Sequence, residues 1–509
     1  MGYLLGLDIG TSGVKALLIS DQGQVIGSAS QEYPFYSPRP GWTEQDPEDM
    51  WQGTITALQK VIEKFQVDPK EIKGIGLSGQ MHSSVFLDNT GSVIRPAILW
   101  NDSRTTKQCQ EIEQLVGKEL LLEEACNPAL EGFTAPKVLW LRENEPENFE
   151  RVRWLVLPKD YIRYRLTGEI QMEISDAAGT LFLNVREGRW SKVIMEKLDL
   201  PMEILPPLVK SSQIVGGVSQ AAAEATGLLA GTPVVGGGAD NACGAVGSGI
   251  VQPGRAMMSL GTSGVMLAHL EEPNLPSGGT IHMFNHAVDE RYYMMGVILS
   301  AGLSYRWFRD QLGQMEQVMA EQLNTDPYVL LSDEAALSPV GSQGLLFLPY
   351  LTGERTPHGD GNARACFFGL NASNTRNDLI RSILEGIGFA FRDSLELLQQ
   401  AGWQGNSIRC IGGGAKSKLW REILASILGL QVQTLNTDEG PGLGAALLAG
   451  VGTGTFKDPS EASDAILSVT STIDPNPGWS KVYAELYPIY RSLYPALKPA
   501  YDNLAKITV

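Results

Sequence analysis

The chain has 509 residues, of which 43% are apolar and 19% charged, with 56 Gly, 28 Pro and a net charge of −17. A single core stops growing near roughly 250 to 300 residues, so two large domains are expected. The acidic balance repels a nucleic-acid backbone and anionic lipid, no basic run offsets it, and no segment approaches the ~20 apolar residues of a membrane span; nucleic-acid and membrane partners are therefore not expected.

At the N-terminus Asp8 cuts the apolar run far short of a signal segment, and Gly6 stands where a myristoylation motif needs Ser or Thr. The five cysteines (Cys109, Cys126, Cys243, Cys366, Cys410) are scattered, odd in number and free of CxxC pairs. Neither disulfides nor zinc are signalled, and a cytoplasmic setting is expected.

The first chemical motif is Asp8-Ile-Gly-Thr-Ser-Gly-Val-Lys15. It puts a carboxylate at a strand end, then a glycine turn with free N–H groups, two hydroxyls and a cation. Turn amides can surround an anion, hydroxyls can donate to its oxygens, Lys15 adds charge, and Asp8 can hold Mg²⁺ directly or through water. Asp46-Pro47 caps a helix running to about Phe65, with Met50, Trp51, Ile55, Leu58, Val61 and Ile62 on one stripe. Ile72 to Leu77 and Ser84 to Leu87 read as strands. Gly74-Ile-Gly-Leu-Ser-Gly79 fits GxGxxG, but a strand-like stretch follows it where a dinucleotide fingerprint needs a helix, so it is rejected.

After the apolar strand Pro233-Val-Val235, Gly236-Gly-Gly-Ala-Asp240-Asn-Ala-Cys-Gly244 sets one acid behind three glycines. Asp240 is the candidate base, since a hydroxyl that attacks phosphorus must lose its proton and a positioned carboxylate can take it. Cys243 reads as a small packing residue. Gly247 to Gly254 has the composition of a turn between units, giving domains 1–247 and 253–509.

Ile9-Gly-Thr-Ser-Gly-Val14 recurs as Leu260-Gly-Thr-Ser-Gly-Val265, at an offset of about half the chain, each copy between strand-like runs. The repeat argues for duplicated domains that each supply a phosphate-binding turn, with Ser259 where the first copy has Asp8. His282 and His286 lack the glutamate of HExxH and read as structural. Asn377-Asp378 opens a long helix. Gly412-Gly-Gly-Ala-Lys-Ser417 and Gly440-Pro-Gly-Leu-Gly-Ala-Ala446 each precede or open a helix and together suit adenosine and its α-phosphate. Tyr483, Tyr487, Tyr490 and Tyr494, interrupted by Pro488 and Pro495, indicate a kinked helix that packs its tyrosines. The P-loop GxxxxGK[ST] and the protein-kinase HRD and DFG motifs are absent.

Taken together these segments resemble the FGGY family of carbohydrate kinases, nearly end to end. The shared stretches include Gly6 to Lys15, Trp42 to Pro47, Gly79-Gln-Met-His82, Ile98 to Asp102, Leu157-Pro-Lys-Asp-Tyr161, Ser175-Asp-Ala-Ala-Gly-Thr180, Gly238-Ala-Asp-Asn241, Ser259 to Val265, Pro349 to His358 and Gly412 to Ala415. Gln-Met-His and Gly-Glu-Arg-Thr-Pro-His are the specific ones; the glycine turns mark only the superfamily. The resemblance implies an α/β fold of two duplicated actin-like, ribonuclease-H-like domains around a catalytic cleft, and ATP- and Mg²⁺-dependent phosphorylation of D-xylulose. It makes Asp240 the base and lines the sugar site with Met81, His82, Asp240 and Asn241. It gives Asp8 to Mg²⁺ and catalysis, Thr11, Ser12, Lys15, Gly261 and Thr262 to the β- and γ-phosphates, and Gly413 and Gly414, with Asn436 or its neighbours, to the adenosine. It is also compatible with a homodimer.

Two departures bear on the sugar: Ser83 follows His82 where the family usually has glycine, and Ala365 stands where glycine is frequent. Another ketose or polyol, such as ribulose, is the alternative substrate. A non-catalytic nucleotide switch is the alternative from another class.

Overall fold

The computed structural model describes residues 2–276 and 279–507. Its first sheet is built from β1 (Tyr3–Ile9), β2 (Gly13–Ser20), β3 (Val25–Glu32), β4 (Ile72–Gly79), β5 (Ile214–Gly217), β6 (Pro233–Val235) and β7 (Gly238–Ala239). Their order is β3-β2-β1-β4-β6-β5, with β7 alongside the end of β4. The second sheet holds β8 (Ala256–Leu260), β9 (Gly264–Leu270), β10 (His282–Asn285), β11 (Tyr292–Ile298), β12 (Ser407–Ile411), β13 (Gln431–Leu435) and β14 (Val469–Ile473), in the order β10-β11-β9-β8-β12-β13-β14.

The two sheets repeat one plan. An antiparallel hairpin (β1–β2, β8–β9) has a third antiparallel strand on one side (β3, β11). Two parallel neighbours lie on the other side (β4 and β6; β12 and β13), closed by an antiparallel edge strand (β5, β14). The GTSG turns do not close alike. Ile9 pairs with Val14 across four turn residues, whereas Leu260 pairs with Gly264 across three.

Helix α1 (Pro47–Phe65) begins where expected, with Asp46 accepting from the Glu48 N–H at 2.9 Å. It buries Met50, Trp51, Leu58 and Val61 against the first sheet. Helix α2 (Asp240–Gly247) starts directly off β7, and α3 (Ala301–Leu312) follows the second hairpin's partner strand β11. The long helix α4 (Arg376–Gln400) opens on a capping box between Thr375 and Asp378. Helix α5 is Gly440–Gly452, and α6 (Pro477–Ala505) runs through Pro488, Pro495 and Pro499. Tyr483, Tyr487 and Tyr490 are buried, with Tyr483 and Tyr487 hydroxyls on Glu385 and Asp393 of α4. His282 and His286 are structural, bonded to Asn127 Oδ1 and the Ile250 carbonyl. All five cysteines are free, and no helix among the described residues is long and apolar enough to cross a membrane.

Helix α5 comes from the second half of the chain yet lies against β1 and β4 of the first sheet and against α2. Glycines permit this approach. A Cβ on Gly6 would strike the Gly442 carbonyl, one on Gly76 the Ala445 carbonyl, and one on Gly444 the Cys243 carbonyl. The glycines of the rejected GxGxxG segment thus serve helix packing, not a nucleotide.

Gly444→Ala is expected to lower Tm: helix propensity favours alanine by about 1 kcal/mol, but the added methyl meets backbone that cannot rotate away, and overpacking typically costs about 1–3 kcal/mol or more. Gly361→Ala, whose methyl meets open space, should leave Tm unchanged in the same thermal scan.

Candidate functional site

Three neighbouring parallel strands deliver the first group of side chains. Asp8 in β1 stands level with Ser78 in β4, and Gly238 in β7 is level with the same Ser78. The carboxyl ends of these strands therefore bring together Asp8, the Gln80–Ser83 loop that leaves β4, and Asp240 at the start of α2. This is where an α/β sheet places ligands, because the strands stop and the following backbone is free to turn around them.

Asp240 Oδ1 accepts from the Asn241 N–H at 2.7 Å and from Asn241 Nδ2 at 2.9 Å, leaving Oδ2 with no hydrogen bond from the described residues. Burial pushes its pKa up to about 7, with the Asp8 carboxylate adding to the rise and the Asn241 bonds opposing it. Burial also raises Asp8, against Ser78 and Lys15. Asn241 Nδ2 reaches the Met81 sulfur at 3.6 Å, as does the buried Tyr293 hydroxyl. Met81 thus fixes the amide that orients Asp240.

His82 has φ +68°, a left-handed conformation that costs a non-glycine residue about 1–3 kcal/mol. Its carbonyl accepts from Thr134 Oγ1 at 2.9 Å, and its ring packs on Phe133 at 4.5 Å. Burial, above all, pushes its pKa down to about 3. The ring is then neutral, and because Nδ1 lies 2.7 Å from the Gly179 carbonyl, Nδ1 must carry the proton. Nε2 is left as an acceptor, suited to a hydroxyl donor.

In the first GTSG turn the protein takes up the carbonyls. Gly10 O accepts from the Tyr33 hydroxyl at 2.6 Å, Thr11 O from Gln45 Nε2 at 2.7 Å and Ser12 O from the Tyr33 N–H at 3.3 Å. In the second, Gly261 O and Thr262 O accept from the Gly302 and Leu303 N–H groups of α3 at 3.0 and 2.9 Å. A trans peptide points its N–H opposite its carbonyl, so pinning carbonyls inward turns amides outward. The Thr11, Ser12, Thr262 and Ser263 N–H groups accordingly have no acceptor among the described residues. That is a nest for an anion. Lys15, opposite Asp8 in the hairpin, is ion-paired with Glu439 just before α5.

A cavity of about 680 Å³ opens beside the second turn, within the range of small-molecule sites. Gly261, Thr262, Gly413 and Gly414 line it together, as does an aromatic group that the sequence did not single out. Tyr305 sits 5.0 Å from the Tyr328 ring and 5.7 Å from Trp420, whose buried indole N–H has no acceptor among the described residues. Such a slot fits a flat heterocycle with acceptor nitrogens. Asn436 is not among the residues that line it. Its amide is closed in a reciprocal pair with Ser468 and a bond to Ile466 O, beside Gln22 and Val25 of the first half.

Ser83 is fully buried, and its hydroxyl is spent inside the protein. It donates to Gln80 Oε1 at 2.9 Å and accepts from the Trp100 N–H at 3.0 Å, while the Trp100 indole donates to Thr11 Oγ1 at 2.9 Å. Ala365 packs on the apolar core. The Gly-Glu-Arg-Thr-Pro-His loop is anchored on both sides of Arg355. Buried Glu354 accepts from the Leu299 N–H at 3.0 Å, and buried Thr356 bonds to Val297. The Arg355 guanidinium has no partner among the described residues, yet its charge helps lower His82 and His282.

Two sheets of one topology, each with a hairpin closed by a glycine turn with free amides, define a two-domain α/β fold. The chain belongs to the FGGY family of carbohydrate kinases, whose N-terminal domain matches residues 3–247 and whose C-terminal domain matches 256–453. It is similar to the xylulose kinase of Bacillus subtilis, at 42% identity over 97% of each chain. Among solved structures, the ligand-bound xylulose kinase of Lactobacillus acidophilus superposes with TM-score 0.92 at 26% identity, over 99% of this chain and 100% of that one. A gluconate kinase from the same organism gives 0.92 and 26% over 99% of each. Fold alone therefore does not choose the sugar.

The ¹⁵N shifts of the His82 imidazole are expected to show one neutral Nδ1–H tautomer from about pH 5 to about pH 9. A titration with a midpoint near the unperturbed value of about 6.5 would contradict the desolvated, carbonyl-bonded ring.

Proposed function

We propose that this chain transfers the γ-phosphoryl group of ATP to O5 of D-xylulose. The observation that carries the reading is the juxtaposition, on one sheet edge, of an unpaired Asp240 oxygen with the free amides of the first GTSG turn. The sugar lies against Met81, His82 and Asn241, with His82 Nε2 accepting from a hydroxyl. The aromatic cavity takes the adenosine, and Gly413 and Gly414 let the backbone approach it closely. Similarity to xylulose kinases over nearly the whole chain supports the ketopentose. Burial of the Ser83 hydroxyl in the Gln80–Trp100 network is consistent with it, since that hydroxyl is not presented to the sugar.

In the reaction, Asp240 Oδ2 takes the O5 proton as the bond from O5 to the γ-phosphorus forms. The bond from that phosphorus to the β,γ-bridging oxygen breaks, and ADP departs with its electrons. Thr11, Ser12, Thr262 and Ser263 amides and the Thr11, Ser12 and Thr262 hydroxyls hold the phosphate oxygens in line, which is most of what phosphoryl transfer asks of a protein. Mg²⁺, when bound, supplies charge neutralisation on those oxygens. Asp8 is the residue placed to hold it, and since no cluster of three acidic, His or Cys ligands exists among the described residues, its other ligands would be phosphate oxygens and water, as is usual for this ion. Lys15 contributes its charge from its pair with Glu439.

Purified protein is expected to release ADP from ATP·Mg²⁺ strongly with D-xylulose and weakly with D-ribulose, L-ribulose, glycerol or gluconate. Preference for another sugar would overturn the substrate, and silence with all of them would favour a nucleotide switch. Asp240→Ala should lower kcat about 10²–10⁴-fold; a loss under about tenfold would remove Asp240 as base.

Asp240 accepts a proton only when ionised, and its pKa is raised to about 7. Its protonated fraction grows as pH falls through that value, so kcat/KM should decline tenfold per unit on the acid side of about pH 7. A profile flat down to the ordinary Asp value of about 4 would contradict this.

A further inference from the structure

Behind Asp240 lies a group of charges that the reaction as described does not use. Lys159 and Arg163, on the helix Pro158–Thr167, and Glu173 and Asp176, which cap and begin the helix Ile174–Ala178, are fully buried together with Asp160. Lys159 Nζ stands 2.7 Å from Asp160 Oδ1, 3.4 Å from Asp176 Oδ2 and 3.9 Å from Glu173 Oε2. Arg163 pairs with Asp160 at 2.6 Å. Three acids meet two bases, burial raises the pKa of Asp176 and of Glu173, and both Asp176 oxygens lack a hydrogen bond among the described residues. Burying so many ions rarely stabilises a fold, because desolvation offsets the attraction. Stability is therefore a poor reason for the cluster.

Three of its outward contacts converge on one short piece of backbone. The Gly236 carbonyl accepts from Arg163 Nη1 at 2.8 Å and from Lys159 Nζ at 3.4 Å. The Ala239 N–H donates to Ser175 Oγ at 3.0 Å, and Ser175 in turn donates to Glu173 Oε2 at 2.7 Å. Between these clamps lie two glycines, Gly237 and Gly238, with Gly237 at φ +76°. The residue after Ala239 is Asp240. Pairing of β7 with β4 and a bond from the Gly237 N–H to the Ser211 carbonyl hold the middle of this segment, and the cluster adds its hold at the Gly236 carbonyl and the Ala239 amide, directly before the base.

We propose that the buried Lys159–Arg163–Glu173–Ser175 cluster is the positioning device for the Asp240 carboxylate, acting through Ser175 on the Ala239 amide. The inference rests on Asp240 being the base. It gives a purpose to Leu157-Pro-Lys-Asp-Tyr161 and to the start of Ser175-Asp-Ala-Ala-Gly-Thr180, whose Gly179 carbonyl separately holds His82 Nδ1.

Ser175→Ala removes one hydroxyl and no charge. It is expected to lower kcat about tenfold or more, since a misplacement of about 1 Å can cost about 10²-fold, while KM for D-xylulose and ATP stays within about twofold. In an Asp240→Ala background the same change should add nothing, because no carboxylate remains to be positioned. Ser211→Ala is the control. Its hydroxyl donates to the same Glu173 at 2.6 Å without touching Ala239, and kcat should hold. Should Ser175→Ala not accumulate as folded protein, Ser175→Cys keeps the volume, weakens the acceptor and is read the same way.

A kcat within twofold of the parent, an equal loss in the Asp240→Ala background, or an equal loss in Ser211→Ala would overturn the proposal. Full activity in Asp240→Ala alone would instead remove the base on which it rests, a distinguishable result.

Discussion

Close backbone contact around α5 is the constraint on which the rest depends. This helix belongs by sequence to the second half, but its glycine and alanine face lies on β1 and β4 of the first sheet and against α2, which begins with Asp240. Side chains cannot fill so narrow a space, so Gly6, Gly76, Gly247 and Gly444 are required by geometry and not by flexibility. The contact joins the element that carries Asp240 to the strand that carries Asp8. It also brings Glu439, just before α5, to Lys15. The interface between halves and the floor of the site are thereby one structure, in which small residues allow carbonyl oxygens to replace side chains as packing atoms.

Much of this was legible in the chain. The repeated GTSG turns, the long helices with their caps and the acid behind three glycines are local patterns, and local patterns survive translation into structure. The nest of free amides was foreseen from composition, yet its cause was not. Carbonyl pinning by Tyr33, Gln45 and the start of α3 depends on residues that no spacing rule connects to the turn. The aromatic wall of Tyr305, Tyr328 and Trp420 stayed hidden for the same reason, being assembled from three helical segments.

Asn436 was placed by resemblance and not by any local pattern; in the structure its amide is closed on Ser468 and Ile466, and it lines a different recess from the one bordered by Gly413 and Gly414. Ser83 was read as a threat to the sugar site because a hydroxymethyl group was added beside it. The structure spends that hydroxyl on Gln80 and Trp100, in a polar chain that reaches Thr11 of the first GTSG turn. Sequence shows which group is present; only the fold shows which way it faces and what has already claimed it.

The two turns share six nearly identical residues but close over different numbers of them. In the first hairpin Asp8 faces Lys15. In the second, Ser259 faces Val265, and Met266, which follows Val265 as Lys15 follows Val14, faces Met258. A carboxylate placed at 259 would find an aliphatic neighbour where its counterpart finds an ammonium group. The duplicated halves have thus ceased to be interchangeable parts. One turn has kept an acid–base pair across its strands, the other has traded it for hydrocarbon, and a one-residue difference in closure makes that division of labour hard to reverse by point substitution.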